Sequence, residues 1–391
     1  GAELSVQYLA QGLAEAGNEV VVIAMARNAG VDRQRDIKVH RVKLQNLYWP
    51  YERRHAMPLR VAWNALDIAN PFMARDIRQI LQAEKPDIVH TNNLQGLSPL
   101  VWKAAHDLGL PVVHTIRDLY LLCPKSAMFR SGRNCDRQCF SCSLFSLPKR
   151  GLSRYVDHVV GISRFILDRH LEFGWFPDAQ RSVVHNSFPT PAVVPEIARS
   201  AKMRFGFLGR IDHRKGAELL ISTFCRSEVS RHATLLIGGE GEPEYVSRLM
   251  DLASGHPIAF AGRLNPKDFF NRIDVLVVPS IIHEALGRVI FEAYSYGRPV
   301  IASRRGGIPE IVKEGKTGFL FEPNADETLS ALLTRVAKRP SLVDGMKATC
   351  LEFAASFSTC EVAGQYESIY ATLVLPQVPS DAAESLWEVD R

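Results

Sequence analysis

The feature that most constrains the fold is a regular alternation of short apolar runs with longer amphipathic stretches along almost the whole chain. Short runs rich in Val, Ile and Leu are typical of strands that are buried on both faces of a parallel sheet. The stretches between them are long enough for the helices that connect parallel strands. We therefore predict an α/β fold built on parallel sheets, with strands at 19–25, 37–44, 87–91, 111–115, 158–163, 181–185, 203–208, 233–237, 258–260, 275–278, 299–302 and 318–321.

A chain of 391 residues exceeds what one hydrophobic core usually serves. Pro189, Pro191 and Pro195 interrupt the alternation near its middle, which is typical of a linker. We predict two doubly wound α/β domains, at 1–195 and 200–358. The Pro-, Ser- and acid-rich residues 376–391 are expected to form a disordered tail.

The chain opens on a helix pattern directly after Gly1. A doubly wound domain normally begins with a strand that leads into a glycine-rich turn. Here the end of such a turn and its helix can be recognised, and we expect the first strand to be missing from this sequence.

The formal net charge of +5 is small, and Lys and Arg are spread along the chain. Nucleic-acid-binding proteins concentrate such residues in a stripe with interleaved aromatic residues, so we expect no nucleic-acid partner. No apolar run reaches the roughly 18 residues needed to cross a bilayer. The start of the chain does not resemble a signal peptide. We expect a cytoplasmic protein, and we also consider peripheral contact with the inner face of the membrane.

Ligands of open parallel sheets bind at the carboxyl ends of the strands, so the loops after the strands of the second half are informative. Arg210 and Lys215 follow the strand at 203–208 and precede a helix. Cations beside a helix N-terminus favour a diphosphate site. A solvated basic turn is the alternative interpretation of the same residues.

Glu284 and Glu292 bracket a glycine turn and a helix start after the strand at 275–278. Ionised carboxylates only accept hydrogen bonds, which suits ligand hydroxyl groups, and the N–H groups at the helix start suit phosphate oxygens. The preference of helix N-termini for acidic residues explains Glu284 but not Glu292, which lies further into the helix. A glycine cluster that ends at Gly241 permits close backbone approach but lacks the third glycine of a dinucleotide fingerprint.

Three motifs occur in order in this half: Gly-Arg-x4-Lys-Gly at 209–216, Glu-x7-Glu at 284–292 and Gly-Gly-Ile-Pro-Glu at 306–310. Together they resemble the retaining glycosyltransferases of family 4, also called glycosyltransferase group 1, which have the glycosyltransferase B fold. The resemblance covers most of the chain and is strongest at 203–335. It implies two Rossmann-like domains that face each other across a cleft, and a helix at 359–375 that crosses back to the first domain. It also implies transfer of a sugar from a nucleoside-diphosphate sugar, such as a UDP- or GDP-sugar, in polysaccharide biosynthesis or a related pathway.

The resemblance also implies roles for single residues. Arg210, Lys215 and Glu284 would be the catalytic residues, with the two cations on the donor diphosphate and Glu284 on the sugar hydroxyls. Glu292 would hold the ribose hydroxyls. The other donor-binding positions that it implies are the turn at Gly1, the glycine cluster at Gly241, the phosphate-facing backbone of Leu286, Gly287 and Arg288, and the base-side turn at Gly262 and Arg263.

Some transferases use a metal ion held by an Asp-x-Asp motif, and this motif is absent from the sequence. Arg210 and Lys215 can stabilise the departing diphosphate as preorganised cations instead. We therefore expect transfer that requires no metal or other cofactor, and the family implies retention of the anomeric configuration.

The first half departs from the family at the sugar side of the cleft. Arg117 and Asp118 stand where the family has a His-Asp pair, and Asn92 stands where a second histidine is frequent. Ser163 and Asn186 match family positions near the cleft. We expect a saccharide or lipid-linked acceptor in this half, and the Arg117 replacement keeps a non-catalytic, glycosyltransferase-like binding protein open as the alternative function.

Four cysteines, Cys123, Cys135, Cys139 and Cys142, cluster in a predicted long loop. Four thiolates at such spacing can hold a structural zinc ion. Reduced thiols and disulfides are the other interpretations of the same cysteines. An epimerase with the same two-domain fold and a dehydrogenase are further alternatives, although no complete dinucleotide fingerprint supports the latter.

Overall fold

A computed structural model describes residues 2–50, 55–189, 200–323 and 326–374. The strands in this part of the chain are β1 (Val21–Ala26), β2 (Gly30–Gln34), β3 (Ile37–Lys43), β4 (Val89–Thr91), β5 (Val112–Ile116), β6 (Phe129–Arg130), β7 (Arg133–Asn134), β8 (His158–Gly161), β9 (Gln180–Val183), β10 (Met203–Leu208), β11 (Ala233–Gly238), β12 (Ile258–Phe260), β13 (Val275–Val278), β14 (Val300–Ser303) and β15 (Gly318–Phe321).

The helices in the same residues are α1 (Ala2–Glu15), α2 (Met57–Ile68), α3 (Pro71–Glu84), α4 (Leu100–His106), α5 (Phe140–Leu152), α6 (Arg164–Leu171), α7 (Ala217–Arg226), α8 (Val229–His232), α9 (Pro243–Leu252), α10 (Pro266–Phe270), α11 (Arg288–Ser295), α12 (Ile308–Ile311), α13 (Asp326–Lys338), α14 (Ser341–Asp344), α15 (Met346–Ala355) and α16 (Thr359–Val374). Two short 3-10 turns lie at Ser153–Tyr155 and His213–Lys215. The predicted α/β architecture is therefore confirmed.

The second half contains one parallel sheet with the strand order β12-β11-β10-β13-β14-β15. The chain starts at β10, builds outward to β12, and then returns to the other side of β10 with β13. The loops after β10 and β13 therefore diverge to opposite faces of the sheet. In open parallel sheets this switch point leaves a crevice at the carboxyl ends of the two strands, where ligands bind.

The first half contains a parallel sheet with the order β4-β5-β8-β9 and a smaller sheet with the order β1-β3-β2. The prediction of parallel strands alone was wrong here, because β2 pairs with β3 in the antiparallel direction. Strand β2 has the sequence GVDRQ and is largely exposed, so it offers no apolar run to detect. The predicted long loop around the cysteines was also wrong, because it contains the hairpin β6–β7 and helix α5.

The last helix belongs to the core of the first half. Val362 and Tyr366 of α16 share a buried cluster with Leu9 of α1 and with the inner residues of β5 and β8. The hydroxyl of Tyr366 lies 3.0 Å from the hydroxyl of Thr115, and the hydroxyl of Tyr370 lies 2.7 Å from Nδ1 of His90. These contacts connect the end of the chain to the sheet that carries the first half of the cleft. Most of the predicted linker and the predicted tail at 376–391 lie outside the described residues.

Candidate functional site

A cavity of about 710 Å³ lies between the two halves at the carboxyl ends of their strands. The second half contributes the loop after β10, with Arg210, Arg214 and Lys215, and the loop after β13, with His283 and Glu284. The first half contributes the remaining walls: Ala2 and Glu3, Tyr48 and Pro50, Arg60, Trp63 and Asn64 of α2, Asn93 and Gln95, residues 117–119, and residues 124–127. Five predicted site residues therefore meet at one cavity: Arg117, Asp118, Arg210, Lys215 and Glu284.

The side chain of Asp212 orders the loop after β10. Asp212 caps the 3-10 turn, and its Oδ1 accepts the backbone N–H of Lys215 at 3.1 Å. Its Oδ2 accepts from Arg210 at 2.7 Å and from Arg214 at 2.8 Å. Burial opposes the ionised form, but the two arginines outweigh it and lower the pKa of Asp212. Asp212 therefore stays charged and holds both guanidinium groups at the cavity wall.

A contact across the switch point joins the two loops. Lys215 donates to Oε1 of Glu284 at 2.6 Å, and the hydroxyl of Ser280 donates to the same oxygen at 2.6 Å. The side chain of Glu284 is 14% exposed, so this pair is partly shielded from water but open to the cavity. An entering anion can pair with the ammonium group of Lys215 in place of Glu284. Glu284 can then accept hydrogen bonds from ligand hydroxyl groups.

Two glycines allow these loops to pack closely. Gly216 has φ of 75°, and a Cβ there would lie 1.9 Å from the carbonyl oxygen of Pro279. Gly306 has φ of 60°, and a Cβ there would lie 2.0 Å from the carbonyl oxygen of Glu284. Both the left-handed conformation and the close approach require glycine. In this structure these glycines position Lys215 and Glu284.

Glu292 lies in α11 and does not line this cavity. Its Oε1 accepts from Nε of Arg288 at 2.9 Å, and the Arg288 guanidinium lies 5.5 Å from the ring centroid of Phe188 and 5.9 Å from that of Tyr8. Burial raises the pKa of Glu292, and the charge of Arg288 opposes the shift. Gly287, with φ of 90°, caps the start of α11.

Other predicted donor positions also lie outside the cavity lining. Gly241 forms a bridge with Ile211 that fixes the loop after β10 against the loop after β11. The remaining predicted positions that do not line this cavity are Gly262, Arg263, Leu286, Gly287 and Arg288. Gly1 lies outside the described residues.

Arg117 is held from two sides within the first half. Its Nε donates to Oδ1 of Asn92 at 2.8 Å, and its Nη1 donates to Oδ1 of Asn186. Burial lowers the pKa of this guanidinium. Its neighbour Asp118 accepts the backbone N–H of Tyr120 at 2.7 Å, and burial raises the pKa of the Asp118 carboxyl to about 6. Asn92, Arg117 and Asn186 therefore form one hydrogen-bonded group in the first half, and Arg117 lines the cavity.

Several hydrogen bonds cross the cleft, and sequence reasoning did not identify them. Glu310 accepts the backbone N–H groups of Arg164 and Phe165 at the start of α6, at 2.7 and 2.8 Å. The hydroxyl of Ser163, predicted to be near the sugar, donates to the carbonyl of Ala285 at 2.5 Å. Asn134 binds both the carbonyl of Ile281 and the N–H of His283, each at 2.9 Å. Glu310 ends the Gly-Gly-Ile-Pro-Glu motif, and nothing in its local sequence indicates a partner 146 residues away.

In the cysteine cluster, Cys135 directly follows β7 and Cys142 lies in the first turn of α5. All seven cysteines of the chain are free thiols in this structure. Cys139 directly precedes α5, and contacts from Ser141 and the backbone of Cys142 lower its pKa to about 7. Burial, with the neighbouring Cys123 thiol, raises the pKa of Cys142. Across residues 2–50, 55–189, 200–323 and 326–374, no three His, Cys, Asp or Glu side chains are arranged to hold a metal ion.

Two family models match the chain. The model described as glycosyl transferases group 1 matches residues 202–339, and the model described as a glycosyl transferase 4-like domain matches residues 1–187. The first match contains the loops with Arg210, Lys215 and Glu284. The second contains Arg117 and Asp118.

Curated proteins of similar sequence extend over most of the chain. An uncharacterized 42.6 kDa protein in the cps region of Klebsiella pneumoniae is 34% identical over 315 residues, which are 80% of this chain and 83% of that protein. A D-inositol 3-phosphate glycosyltransferase of Streptomyces griseus is 27% identical in an alignment of 325 positions that covers 73% of this chain and 66% of that protein.

Solved structures share the fold. A sucrose-phosphate synthase from Thermosynechococcus elongatus matches with a TM-score of 0.74 and 19% identity, over 95% of this chain and 93% of that chain. HepE of Anabaena, in complex with UDP and glucose, matches with a TM-score of 0.70 and 19% identity, over 95% of this chain and 96% of that chain. The predicted fold of two Rossmann-like units around a cleft is therefore confirmed. None of the helices in the described residues is long and apolar enough to cross a bilayer.

Proposed function

Because the chain belongs to the group 1 glycosyltransferases, we propose that it moves a sugar from a nucleoside-diphosphate sugar to a saccharide or lipid-linked acceptor. The observation that carries this proposal is the convergence of Arg210, Lys215 and Glu284 at one cavity, beside the switch point of the second sheet. Two cations and one carboxylate suit the two ends of such a donor, the diphosphate and the sugar hydroxyl groups.

Lys215 and Arg210 stabilise the charge that develops on the diphosphate as the sugar leaves. Both are already held at the wall, Arg210 by Asp212 at 2.7 Å and Lys215 by Glu284 at 2.6 Å. Preorganised charges stabilise a transition state with little reorganisation during the reaction. When the diphosphate takes over Lys215, Glu284 becomes available to accept hydrogen bonds from the sugar.

The nucleoside lies on the second half, outside the cavity that is open in this structure. We assign the ribose to Glu292 and the phosphates to the backbone of Leu286, Gly287 and Arg288 at the start of α11. For Glu292 to accept ribose hydroxyls, its contact with Arg288 at 2.9 Å has to be shared or released. As the family resemblance implies, we assign Gly1 and Gly241 to donor binding, and Gly262 and Arg263 to the base. UDP is the first nucleotide to test, because HepE of Anabaena was solved with UDP.

The cations support transfer without a metal ion, since they already supply the positive charge that a metal would bring. We propose retention of the anomeric configuration, as the family resemblance implies. On the acceptor side we assign the sugar-facing wall to Arg117, Asp118 and Asn186, with Ser163 joining the halves. We also propose domain limits of 1–195 and 200–358, with the last helix serving the first domain.

The test is a donor panel of UDP-, GDP- and ADP-sugars in a buffer containing EDTA, with release of nucleoside diphosphate as the readout. We expect one donor to be consumed and its anomeric configuration to be kept in the product, as read by proton NMR. Inversion would contradict the retaining assignment. Turnover that appears only after Mg²⁺ is added would contradict the metal-independent one.

A specific observation favours the alternative, a binding protein without catalysis. Arg117 occupies the family's histidine position and donates hydrogen bonds to Asn92 and Asn186. In that case one nucleotide would bind, but none of the panel would be consumed with any saccharide or lipid-linked acceptor. An Arg117→His variant that gains turnover would identify this replacement as the cause.

Structural zinc at Cys123, Cys135, Cys139 and Cys142 stays a prediction, with reduced thiols as the alternative. Metal analysis of protein purified without chelators separates the two. One equivalent of zinc, lost in a Cys139→Ser, Cys142→Ser variant, supports the metal site. Zinc-free protein with four titratable thiols in the cluster supports reduced cysteines.

A further inference from the structure

Arg117 is a partly buried cation that has no anionic partner in the described part of the chain. Its Nε donates to Asn92 and its Nη1 donates to Asn186, and both acceptors are neutral amide oxygens. The adjacent carboxylate, Asp118, accepts the backbone N–H of Tyr120 at 2.7 Å instead. A guanidinium has five N–H donors, so three of them have no partner among these residues. Because an unpaired charge that is shielded from water is costly, this group suits an anion that a ligand brings.

Three strand ends hold this guanidinium at one edge of the first sheet. Arg117 directly follows β5, Asn92 directly follows β4, and Asn186 lies shortly after β9. These strands are parallel members of the sheet β4-β5-β8-β9, so their carboxyl ends lie along the same edge. The guanidinium is therefore held in place without a ligand, and such preorganisation lowers the cost of binding one.

Strand β8, the neighbour of β5, connects this edge to the second half. In β8, Gly161 pairs with Ile116, the residue before Arg117. Two residues further on, the hydroxyl of Ser163 donates at 2.5 Å to the backbone carbonyl of the residue after Glu284. Arg117 and Glu284 therefore line one cavity from opposite halves. A sugar whose hydroxyl groups contact Glu284 lies in the same cavity as Arg117.

Cations outnumber carboxylates on the wall of this cavity. The three cations of the second half have carboxylate partners, which are Asp212 and Glu284. The three cations of the first half form no ion pair within the residues that the structure describes. A surplus of this kind attracts anions, and it lies across the cleft from the residues assigned to the diphosphate. The six cations are Arg60, Arg117, Lys125, Arg210, Arg214 and Lys215, and the three carboxylates are Glu3, Asp118 and Glu284.

We propose that the transferred sugar carries a carboxylate, as in a nucleoside-diphosphate uronic acid, and that Arg117 selects it. This inference rests on the proposed function, which supplies the donor and assigns its sugar to Glu284. A planar guanidinium matches a carboxylate with two parallel N–H···O bonds, and such charge-assisted bonds are stronger than neutral ones. A neutral hydroxymethyl group in the same place would leave the charge of Arg117 unpaired.

The carboxylate selects the donor and takes no part in bond making. The bond from the anomeric carbon to the diphosphate oxygen breaks, and the electron pair leaves with the diphosphate. A bond from the same carbon to the acceptor oxygen forms, and the acceptor hydroxyl loses its proton. Arg117 is therefore a specificity-determining residue, and its presence at the family's histidine position changes the sugar instead of abolishing transfer.

The test compares donors that differ only at C6, where one member of each pair has a hydroxymethyl group and the other a carboxylate. The pairs are UDP-glucose with UDP-glucuronic acid, UDP-galactose with UDP-galacturonic acid, and GDP-mannose with GDP-mannuronic acid. Isothermal titration calorimetry on the full chain gives the dissociation constants. We expect the acid of at least one pair to bind at least about tenfold more tightly than its neutral partner, the usual effect of a hydrogen bond to a charged group.

Arg117→Gln removes the charge and keeps an amide that can still donate hydrogen bonds. We expect this variant to bind the acidic and the neutral donor with equal affinity. Arg117→Lys keeps a charge without the planar fork, so it should retain part of the preference. The matched control is Arg181→Gln, an exposed residue of β9 in the same half, which should keep the full preference. The melting temperature and the affinity for the bare nucleoside diphosphate report whether each variant is folded.

The outcomes separate this inference from the proposed function. Equal affinities of acid and neutral sugar in every pair would overturn the carboxylate assignment and leave the transfer of a neutral sugar standing. A preference for the acid that Arg117→Gln keeps in full would overturn the role of Arg117. If no bare nucleoside diphosphate binds the wild type, the proposed function fails and this inference fails with it.

Discussion

Among single residues, Lys215 has the most direct connection to the chemistry, since its ammonium group lies in the cavity 2.6 Å from Glu284. We predict that Lys215→Ala lowers the rate of donor turnover by about 10²–10³-fold, the usual effect of removing one preorganised charge from a developing anion. Lys215→Arg should recover part of the rate. The measurement is the initial rate of nucleoside diphosphate release, with Lys267→Ala on the exposed face of α10 as the control. Near-normal turnover of Lys215→Ala would remove this residue from the diphosphate site.

Asp118 gives a prediction about pH and stability. Burial raises its pKa from 3.8 to about 6, so the folded state binds this proton more tightly than the unfolded state does. The resulting stabilisation is fully present below pH 3.8 and is lost as the pH rises through about 6. The difference between these two pKa values corresponds to about 3 kcal/mol of unfolding free energy at most.

We therefore predict that Asp118→Asn raises the free energy of unfolding at pH 8 by up to about 3 kcal/mol, and that the gain vanishes near pH 4. Denaturant titrations at both pH values measure this, with the exposed Asp251→Asn as the control. A gain that is the same at pH 4 and pH 8 would contradict the buried carboxyl. If Asp118 contacts the sugar, the more stable variant should also be the less active one.

Sequence reasoning identified the residues of the cleft whose chemistry is local. Arg210, Lys215 and Glu284 follow strands directly, and strand ends can be read from apolar runs. The hydrogen bonds that join the halves were not predicted, because they depend on partners far along the chain. Ser163 binds a residue 122 positions away, and Asn134 binds one 147 positions away.

Helices α1 and α16 are the elements that connect the two ends of the described chain. Gly12 of α1 is buried against α16, and a Cβ there would lie 2.6 Å from the carbonyl oxygen of Thr359. We predict that Gly12→Ala destabilises the protein by about 1–3 kcal/mol, although alanine is the better helix former, because the backbone of α16 cannot move away cheaply.

The matched control is Gly364→Ala in α16, where a Cβ would meet nothing within 4 Å. This change should stabilise by about 0.5–1 kcal/mol, since only the helix preference of alanine remains. Both values come from denaturant unfolding. Equal effects of the two substitutions would show that α1 and α16 do not pack this closely.

Sequence patterns predicted the strands of the second half closely, because four of them are short, buried and parallel apolar runs. The same patterns missed β2, the hairpin β6–β7 and helix α5. Helix α5 carries Pro148 and points its apolar residues outward, so the rule that the apolar face marks the core misleads there. The elements that escaped prediction lie in the first half of the chain.

At the scale of the whole molecule, polar contacts join the two halves at the cleft, and apolar contacts such as the stacked rings of Phe188 and Phe291 accompany them. Glu310 binds the start of α6, Ser163 binds Ala285, and Asn134 binds the loop after β13.

The most direct test of the central claim is a thermal-shift titration with UDP, GDP and ADP, each with and without Mg²⁺, on the wild type and on Lys215→Ala and Glu292→Ala. A ligand that binds only the folded state raises the melting temperature with the logarithm of its concentration. We predict a shift with one of the three nucleotides, independent of Mg²⁺, reduced in Lys215→Ala and lost in Glu292→Ala. Two results would contradict a donor site at Arg210, Lys215 and Glu292. One is no shift with any nucleotide, and the other is a shift in both variants that is as large as in the wild type.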